Sequence, residues 1–304
     1  ETGAPPLGAL GAPANGGAHS GGAMAATPSA EQIAALKAEV VEAHGSSSVD
    51  ANFELDDACC SRYLRARGLD HNKAKTMLLD TIKWRREFGV ARVVEDHFET
   101  LAFECDPGKF FISPFFDNDN RPIMVMRNRL ENSSNYEGNI LNLVYQLERG
   151  CAAARAAGVE KWTLVIDFNG YSMWNAPPLK TSRSTLSIMQ DYYPERLHRC
   201  FMLDSPALFS AAWSAISPFI DVVTRTKICF VSGPMKEGSD RAKLLQESFK
   251  LSSLEECVGG TAKWTYSAEE YLREDRARYV AAKGVPAKEM SGGSAKATAE
   301  VIGA

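Results

Sequence analysis

The feature that most constrains this chain is a change of rhythm near residue 105. Beyond it, short β-rich runs recur between longer intervals: Pro122 to Met126, Trp162 to Phe168, Arg199 to Leu203 and Lys227 to Val231. Helices are expected in the gaps, at 138–157, 180–192, 206–222 and 239–250, where apolar residues return every three or four positions. Short apolar runs alternating with helical stretches are the pattern of a buried, mostly parallel sheet joined by crossover helices. The fold class is therefore α/β.

Ahead of that region the periodicity is helical throughout. Ile33, Leu36, Val40 and Val41 share one face of a helix expected from Ala30 to about His44, ended by Gly45 and three serines. Two further helices are expected between Leu55 and Gly89, broken at Gly68-Leu69-Asp70. The expected organisation is a low-complexity, disordered start (1–30), a helical N-terminal lobe (31–98), an α/β lobe (99–275) and a flexible tail (284–304) rich in Gly, Ser, Ala and Lys.

Composition excludes several classes. Hydrophobic residues make up 45% and charged residues 24%, enough for a sizeable core, and no run reaches the roughly eighteen apolar residues of a membrane span. The net charge of -4 gives no chain-wide attraction to nucleic acid, so no nucleic-acid partner is expected. No Lys or Arg precedes Lys37, which fits neither a signal nor a transit peptide. Seven cysteines lack metal or redox spacing, and the five histidines show no paired-ligand spacing. Reduced thiols, a cytoplasmic location and no metal or cofactor are expected.

Enzyme signatures fail on chemistry. Gly170-Tyr171-Ser172-Met173-Trp174 lacks the second glycine that a nucleophile elbow needs to present its serine. The loop from Gly233 to Gly238 sits where a phosphate-binding loop belongs, but Ser239 and Asp240 replace its Lys and Ser/Thr, and an aspartate repels polyphosphate. No catalytic residue is expected.

Three blocks carry a resemblance. The first is Ser61-Arg62-Tyr63-Leu64-Arg65-Ala66-Arg67, followed by the run from Ile82 to Gly89, Ile-Lys-Trp-Arg-Arg-Glu-Phe-Gly. The second is Tyr192-Tyr193-Pro194-Glu195-Arg196, then Asp204 to Phe209, Trp213, and Pro218 to Ile228; the third is Val258-Gly259-Gly260. Spanning about residues 55 to 265, they resemble the CRAL-TRIO family, in particular its yeast phosphatidylinositol-transfer branch. The resemblance implies a helical lobe packed on an α/β lobe whose sheet floors a lipid pocket. It also implies headgroup contacts at Arg67, Glu195, Thr224 and Lys227. Their chemistry suits an inositol phosphodiester, because cations meet the phosphate and Thr and Glu read hydroxyls. Taken singly, each has an ordinary alternative: an exposed helix residue for Arg67, a Glu195–Lys227 ion pair, a helix cap for Thr224.

The resemblance also sets limits. Members that exchange phosphatidylinositol for phosphatidylcholine carry small hydroxyl residues where this chain has Trp162 and Leu164, and tyrosines where it has Met124 and Ser113 or Phe115. A choline site does not carry over, and the second ligand is expected to be a sterol, an isoprenoid or another apolar molecule. Met124, Trp162, Leu164 and Ile166 are expected to line the pocket. Phe209, Trp213, Ile216 and Phe219, with Pro218 as a break, match the family's gate helix and are expected to meet the membrane when the gate opens. Covering two acyl chains at about 0.8 kcal/mol per methylene is what makes a closed pocket necessary. Nine Arg or Lys against three acids over 62–92 would steer the chain to anionic membranes or form a solvated helix face. A monomer with transient peripheral membrane contact is expected. The competing readings are a carrier of a tocopherol, retinoid or sterol, and a hydrolase or nucleotide-dependent enzyme.

Overall fold

A computed structural model describes residues 27–283 except Met173. The expected tail and all but the last four residues of the expected disordered start lie outside the described residues. Helix α1 (Ala30–His44) opens with a capping box in which the Ser29 hydroxyl accepts from Gln32 N–H and the Gln32 side chain accepts from Ser29 N–H. A short hairpin of β1 (Ser48–Asp50) and β2 (Phe53–Glu54) leads to α2 (Asp57–Ala66), capped by Asp56, and α3 (His71–Phe88), capped by Asp70. Leu36, Val40, Leu64 and Leu78 are fully buried between these helices.

Most of the basic residues of this lobe are paired with carboxylates of the protein itself. Arg62 and Arg65 pair with Glu160, Lys75 with Glu39, and Arg92 with Asp96. Arg85 is buried and grips Glu148 in a fork of 2.7 and 2.9 Å while its Nε donates to Asp50 at 2.7 Å. Removing one member of such a buried pair leaves an uncompensated charge worth about 3–5 kcal/mol, so this contact locks the helical lobe onto the α/β lobe.

Helix α4 (Val93–Cys105) leads into the sheet, formed by β3 (Phe110–Phe116), β4 (Pro122–Arg127), β5 (Trp162–Asp167), β6 (Leu197–Leu203) and β7 (Ile228–Val231) in that spatial order. The last four strands are parallel, and β3 is an antiparallel edge. The crossovers are α5 (Tyr136–Ala156) after β4, α6 (Leu179–Tyr192) after β5, and α7 (Phe209–Ile216) with α8 (Val222–Thr226) after β6. A 3-10 turn, Ser217–Phe219, separates α7 from α8, with Pro218 inside it at the expected break. Helix α9 (Asp240–Ser248), α10 (Ala268–Tyr271) and α11 (Arg273–Lys283) are the last helices among the described residues. The loop from Gly233 to Gly238 ends in an ordinary N-cap, Ser239 accepting from Ala242 N–H.

Pleating sorts the sheet into two faces. Phe111, Ile123, Val125, Val165, Phe201 and Leu203 pack against Leu245, Phe249 and Leu254. On the other face the row Met124, Leu164, Cys200, Ile228 runs in register across the four parallel strands, under α5, α6 and α7. The closing glycines have a steric reason. Gly259 adopts φ 96°, and a Cβ on Gly260 would stand 1.8 Å from the Leu254 carbonyl oxygen. Gly260→Ala is therefore expected to cost more than about 2 kcal/mol in urea unfolding, with the slope unchanged.

Candidate functional site

The apolar face of the sheet is not filled evenly. At its β5 start, α5 comes close: a Cβ on Gly150 would lie 3.2 Å from Met124 Sδ and 3.4 Å from Trp162 Cε3. Further along, α6 and α7 stand off and leave a cavity of about 250 Å³. Leu164, Ile166, Cys200 and Met202 form its floor, and Phe209, Trp213 and Ile216 of α7 form part of its roof. Leu164 and Ile166 are thus where the sequence reading places them. Met124 is corrected: it sits on the pocket face but packs beneath α5 at Gly150 and lines neither this cavity nor the cleft beside it, whereas Trp162, also packed by α5 there, borders that cleft and not this cavity.

The roof is an unusual helix. No charged residue occurs from Ser205 to Ile220, and α7 has no side-chain cap at its start. Phe209 packs on Phe168 at 4.5 Å between ring centroids, and Trp213 meets Phe230 edge-on at 5.2 Å. Of the four expected gate residues, Phe219 differs from the others. It lies outside the cavity, exposed, with the Arg183 guanidinium 4.5 Å above its ring.

Beside the cavity opens a polar cleft of about 530 Å³. All four expected headgroup residues line it: Arg67, Glu195, Thr224 and Lys227. Each is held by a distinct local device. Arg67 is the C-cap residue of α2, and its side chain meets only the Ala66 carbonyl among the described residues, at 3.3 Å. Glu195 follows Pro194 in the turn into β6 with φ 59°, a left-handed conformation costly for a non-glycine residue. Asp221, not Thr224, caps α8, accepting from Thr224 N–H at 2.8 Å. Lys227 closes the same helix, and burial pulls its pKa below the ordinary lysine range. Glu195 bonds Lys161 at 3.3 Å, so the ordinary Glu195–Lys227 ion pair is not formed. Trp162 also lines this cleft, as does Tyr193, whose hydroxyl donates to Glu148 at 2.7 Å.

Cavity and cleft share walls. Leu186, Met189, Leu197, Ile220 and Thr224 border both. The sequence reading missed the cavity's other end, where Lys109, Arg127, Asn128, Glu131, Asn139 and Asn142 gather. These six polar residues come from the bend before β3, the end of β4, the 3-10 turn after it and α5, and no spacing in the sequence joins them. Among the described residues there is no cluster of metal-ligating side chains and no helix long and apolar enough to cross a membrane.

This architecture is a two-lobe α/β protein with an apolar cavity beside a polar cleft. Residues 33–80 match the CRAL/TRIO N-terminal domain and residues 106–260 the CRAL/TRIO domain, so the chain belongs to the CRAL/TRIO family. It is similar to the phosphatidylinositol transfer protein PDR17 of Saccharomyces cerevisiae, with 35% identity over 187 residues, 59% of this chain and 53% of that protein. The chain thus spans about half the length of that relative. It is 31% identical to the SEC14 cytosolic factor of Kluyveromyces lactis over 264 residues, covering 80% of this chain and 83% of that protein. The crystal structure of Sfh5 shares the fold, with a TM-score of 0.56 at 18% identity over 79% of this chain and 89% of that one.

The backbone at Glu195 makes a test of the cleft. Glu195→Gly relieves the left-handed strain while removing the carboxylate, so its melting temperature is expected to equal or exceed that of the parent. Lipid binding should fall in the same preparation. A lower melting temperature would show that the carboxylate holds the fold.

Proposed function

We propose that this chain binds phosphatidylinositol and transfers or presents it between membranes from the cytoplasm, as a monomer in transient peripheral contact with the bilayer. The observation that carries the reading is the junction of cleft and cavity. A headgroup seated among Arg67, Glu195, Thr224 and Lys227 passes its acyl chains over Leu186, Met189 and Leu197 onto the floor at Leu164 and Ile166. The name of the PDR17 relative, a phosphatidylinositol transfer protein, supports the same class of cargo. No bond need break. Cys200, the thiol on the cavity floor, is pushed up to about 12 by burial and stays protonated at neutral pH.

A cavity of about 250 Å³ lies below the usual range for even drug-sized ligands. Loading a two-chain lipid therefore requires α7 to move outward, its apolar face turning from the cavity to the membrane interface. Phe209→Asp puts a charge on that face. It is expected to abolish transfer between vesicles while circular dichroism keeps the parent spectrum; a lost spectrum would make α7 a plain core helix.

Lys227→Ala and Thr224→Ala are each expected to lower phosphatidylinositol transfer about tenfold or more, from the loss of roughly 1.5–3 kcal/mol per charge-assisted contact. Transfer of a purely apolar cargo should be unchanged, and unaltered inositol-lipid transfer would sink the assignment. Lys227 also sets a pH dependence. A bound phosphodiester favours the ammonium form, so affinity is full below the depressed pKa of the free protein and declines as pH rises through it. Lys227→Arg is expected to flatten that alkaline decline, measured as dissociation constants across the alkaline range.

A further inference from the structure

One buried donor in the polar cleft has no partner. The Trp162 side chain is only 1% exposed, and its Nε1–H is shielded from solvent and meets no acceptor among the described residues. Buried indole N–H groups ordinarily find an acceptor, because a donor taken out of water without one is costly. A purely apolar ring would fill the same strand position without that cost.

The setting of the ring fixes which way the donor faces. Its six-membered part is held at Cε3, which lies 3.4 Å from where a Cβ on Gly150 of α5 would stand, beside Met124 Sδ of β4. Nε1 is on the opposite edge of the indole, so it is turned from α5 and Met124 toward β6, where Leu197 is the register partner of Trp162. Trp162 thus joins the cleft at the wall of Leu186, Met189 and Leu197, which cleft and cavity share. In the closed form that wall keeps water from Nε1, and a molecule threading from cleft to cavity must pass along it.

The surroundings decide what the donor can take. Arg67 and Lys227 supply positive charge for a phosphate within the cleft. Trp162 is a neutral donor beside apolar side chains, where an anionic oxygen would lose its hydration without gaining a counter-charge. A neutral carbonyl oxygen matches it. In a phospholipid whose headgroup sits among the cleft residues and whose chains lie over Leu164, the glycerol ester carbonyls fall between the two, at this wall.

We propose that Trp162 is a specificity-determining residue: its indole N–H donates to an acyl ester carbonyl of the bound phospholipid, and the chain selects acyl esters over alkyl ethers. The proposal rests on the inositol-lipid reading and deepens it, since the four cleft residues read the headgroup and Trp162 reads how the chains are attached. Apolar walls alone give no such selectivity. An ester must shed the water on its carbonyls to enter, whereas an ether has no carbonyl to desolvate, so without a donor the ester gains no advantage.

The test is displacement of a fluorescent phosphatidylinositol from the full chain by diacyl- and dialkyl-phosphatidylinositol of equal chain length. The diacyl lipid is expected to compete about tenfold better, as a buried donor discriminates against a ligand that lacks its acceptor. Trp162→Phe keeps an aromatic ring on the strand but removes the N–H, and should make the two lipids equal. In the parent, one indole N–H proton resonance should move downfield with the diacyl lipid and not with the dialkyl lipid. That measurement decides even if the phenylalanine variant does not fold. Equal competition in the parent, stronger competition by the ether lipid, an ester preference that survives Trp162→Phe, or no ester-dependent indole shift would each overturn the proposal. Failure of the inositol reading is distinct. A fluorescent lipid that does not bind at all removes both proposals, whereas unaltered inositol-lipid transfer by Lys227→Ala with the ester preference intact counts against the headgroup assignment alone.

Discussion

A sheet face that its own helices do not fill is the constraint on which the rest of this structure depends. The opposite face is packed shut by Leu245, Phe249 and Leu254. On the pocket face the close approach of α5 at Gly150 seals only the start of β5. The surrounding framework is held independently of whatever occupies that face: Arg85, Glu148, Asp50 and Tyr193 form one buried network tying both lobes together. A molecule that binds the cavity of the folded chain stabilises the fold by mass action.

Local rules made the helical lobe legible. Ser29, Asp56 and Asp70 are N-caps, Gly45 and Gly89 are left-handed stops, and the helices begin and end beside them. The four parallel strands were readable as apolar runs because both of their faces are buried. Strand β3 was not readable. Its sequence, Phe-Phe-Ile-Ser-Pro-Phe-Phe, carries Pro114 in the middle, which argues against a strand, and the structure tolerates it only on an edge with a register shift between Ile112 and Phe116. Helix α11 was hidden for the opposite reason. It is highly charged, with no apolar stripe, and is held by Arg149–Asp275 and by Tyr279 stacked on Phe98, contacts from distant segments. Helix α4 was legible and overlooked: Val94, Phe98, Leu101 and Cys105 keep helical spacing and are all buried.

The two polar ends of the cavity differ in how sequence announces them. Arg67, Glu195, Thr224 and Lys227 sit in motifs whose order and spacing resemble a known family, so they could be named before the fold was seen. Asn142, Gln146, Cys105, Tyr271 and Ile112 form a chain of hydrogen bonds across some 160 residues of sequence, and no local pattern marks it. Met124 shows the converse limit. Strand alternation assigns the correct face, but whether a side chain on that face meets a cavity or a helix depends on how near the helix comes, which here is set by a glycine on α5.

The placement of the four cleft residues joins recognition to closure. Arg67 and Glu195 belong to the rigid side, on the end of α2 and the turn into β6. Thr224 and Lys227 belong to α8, which continues through Ser217–Phe219 into the cavity roof α7. On the proposed reading, a headgroup that touches all four bridges the framework and the gate. Its binding energy then falls on the closed form alone, because opening α7 carries Thr224 and Lys227 away from Arg67. A ligand shifts a conformational equilibrium only by its differential affinity for the two states, and this geometry provides that difference. The headgroup is thus the part of the cargo that latches the protein, and the chains are the part that requires it to be latched.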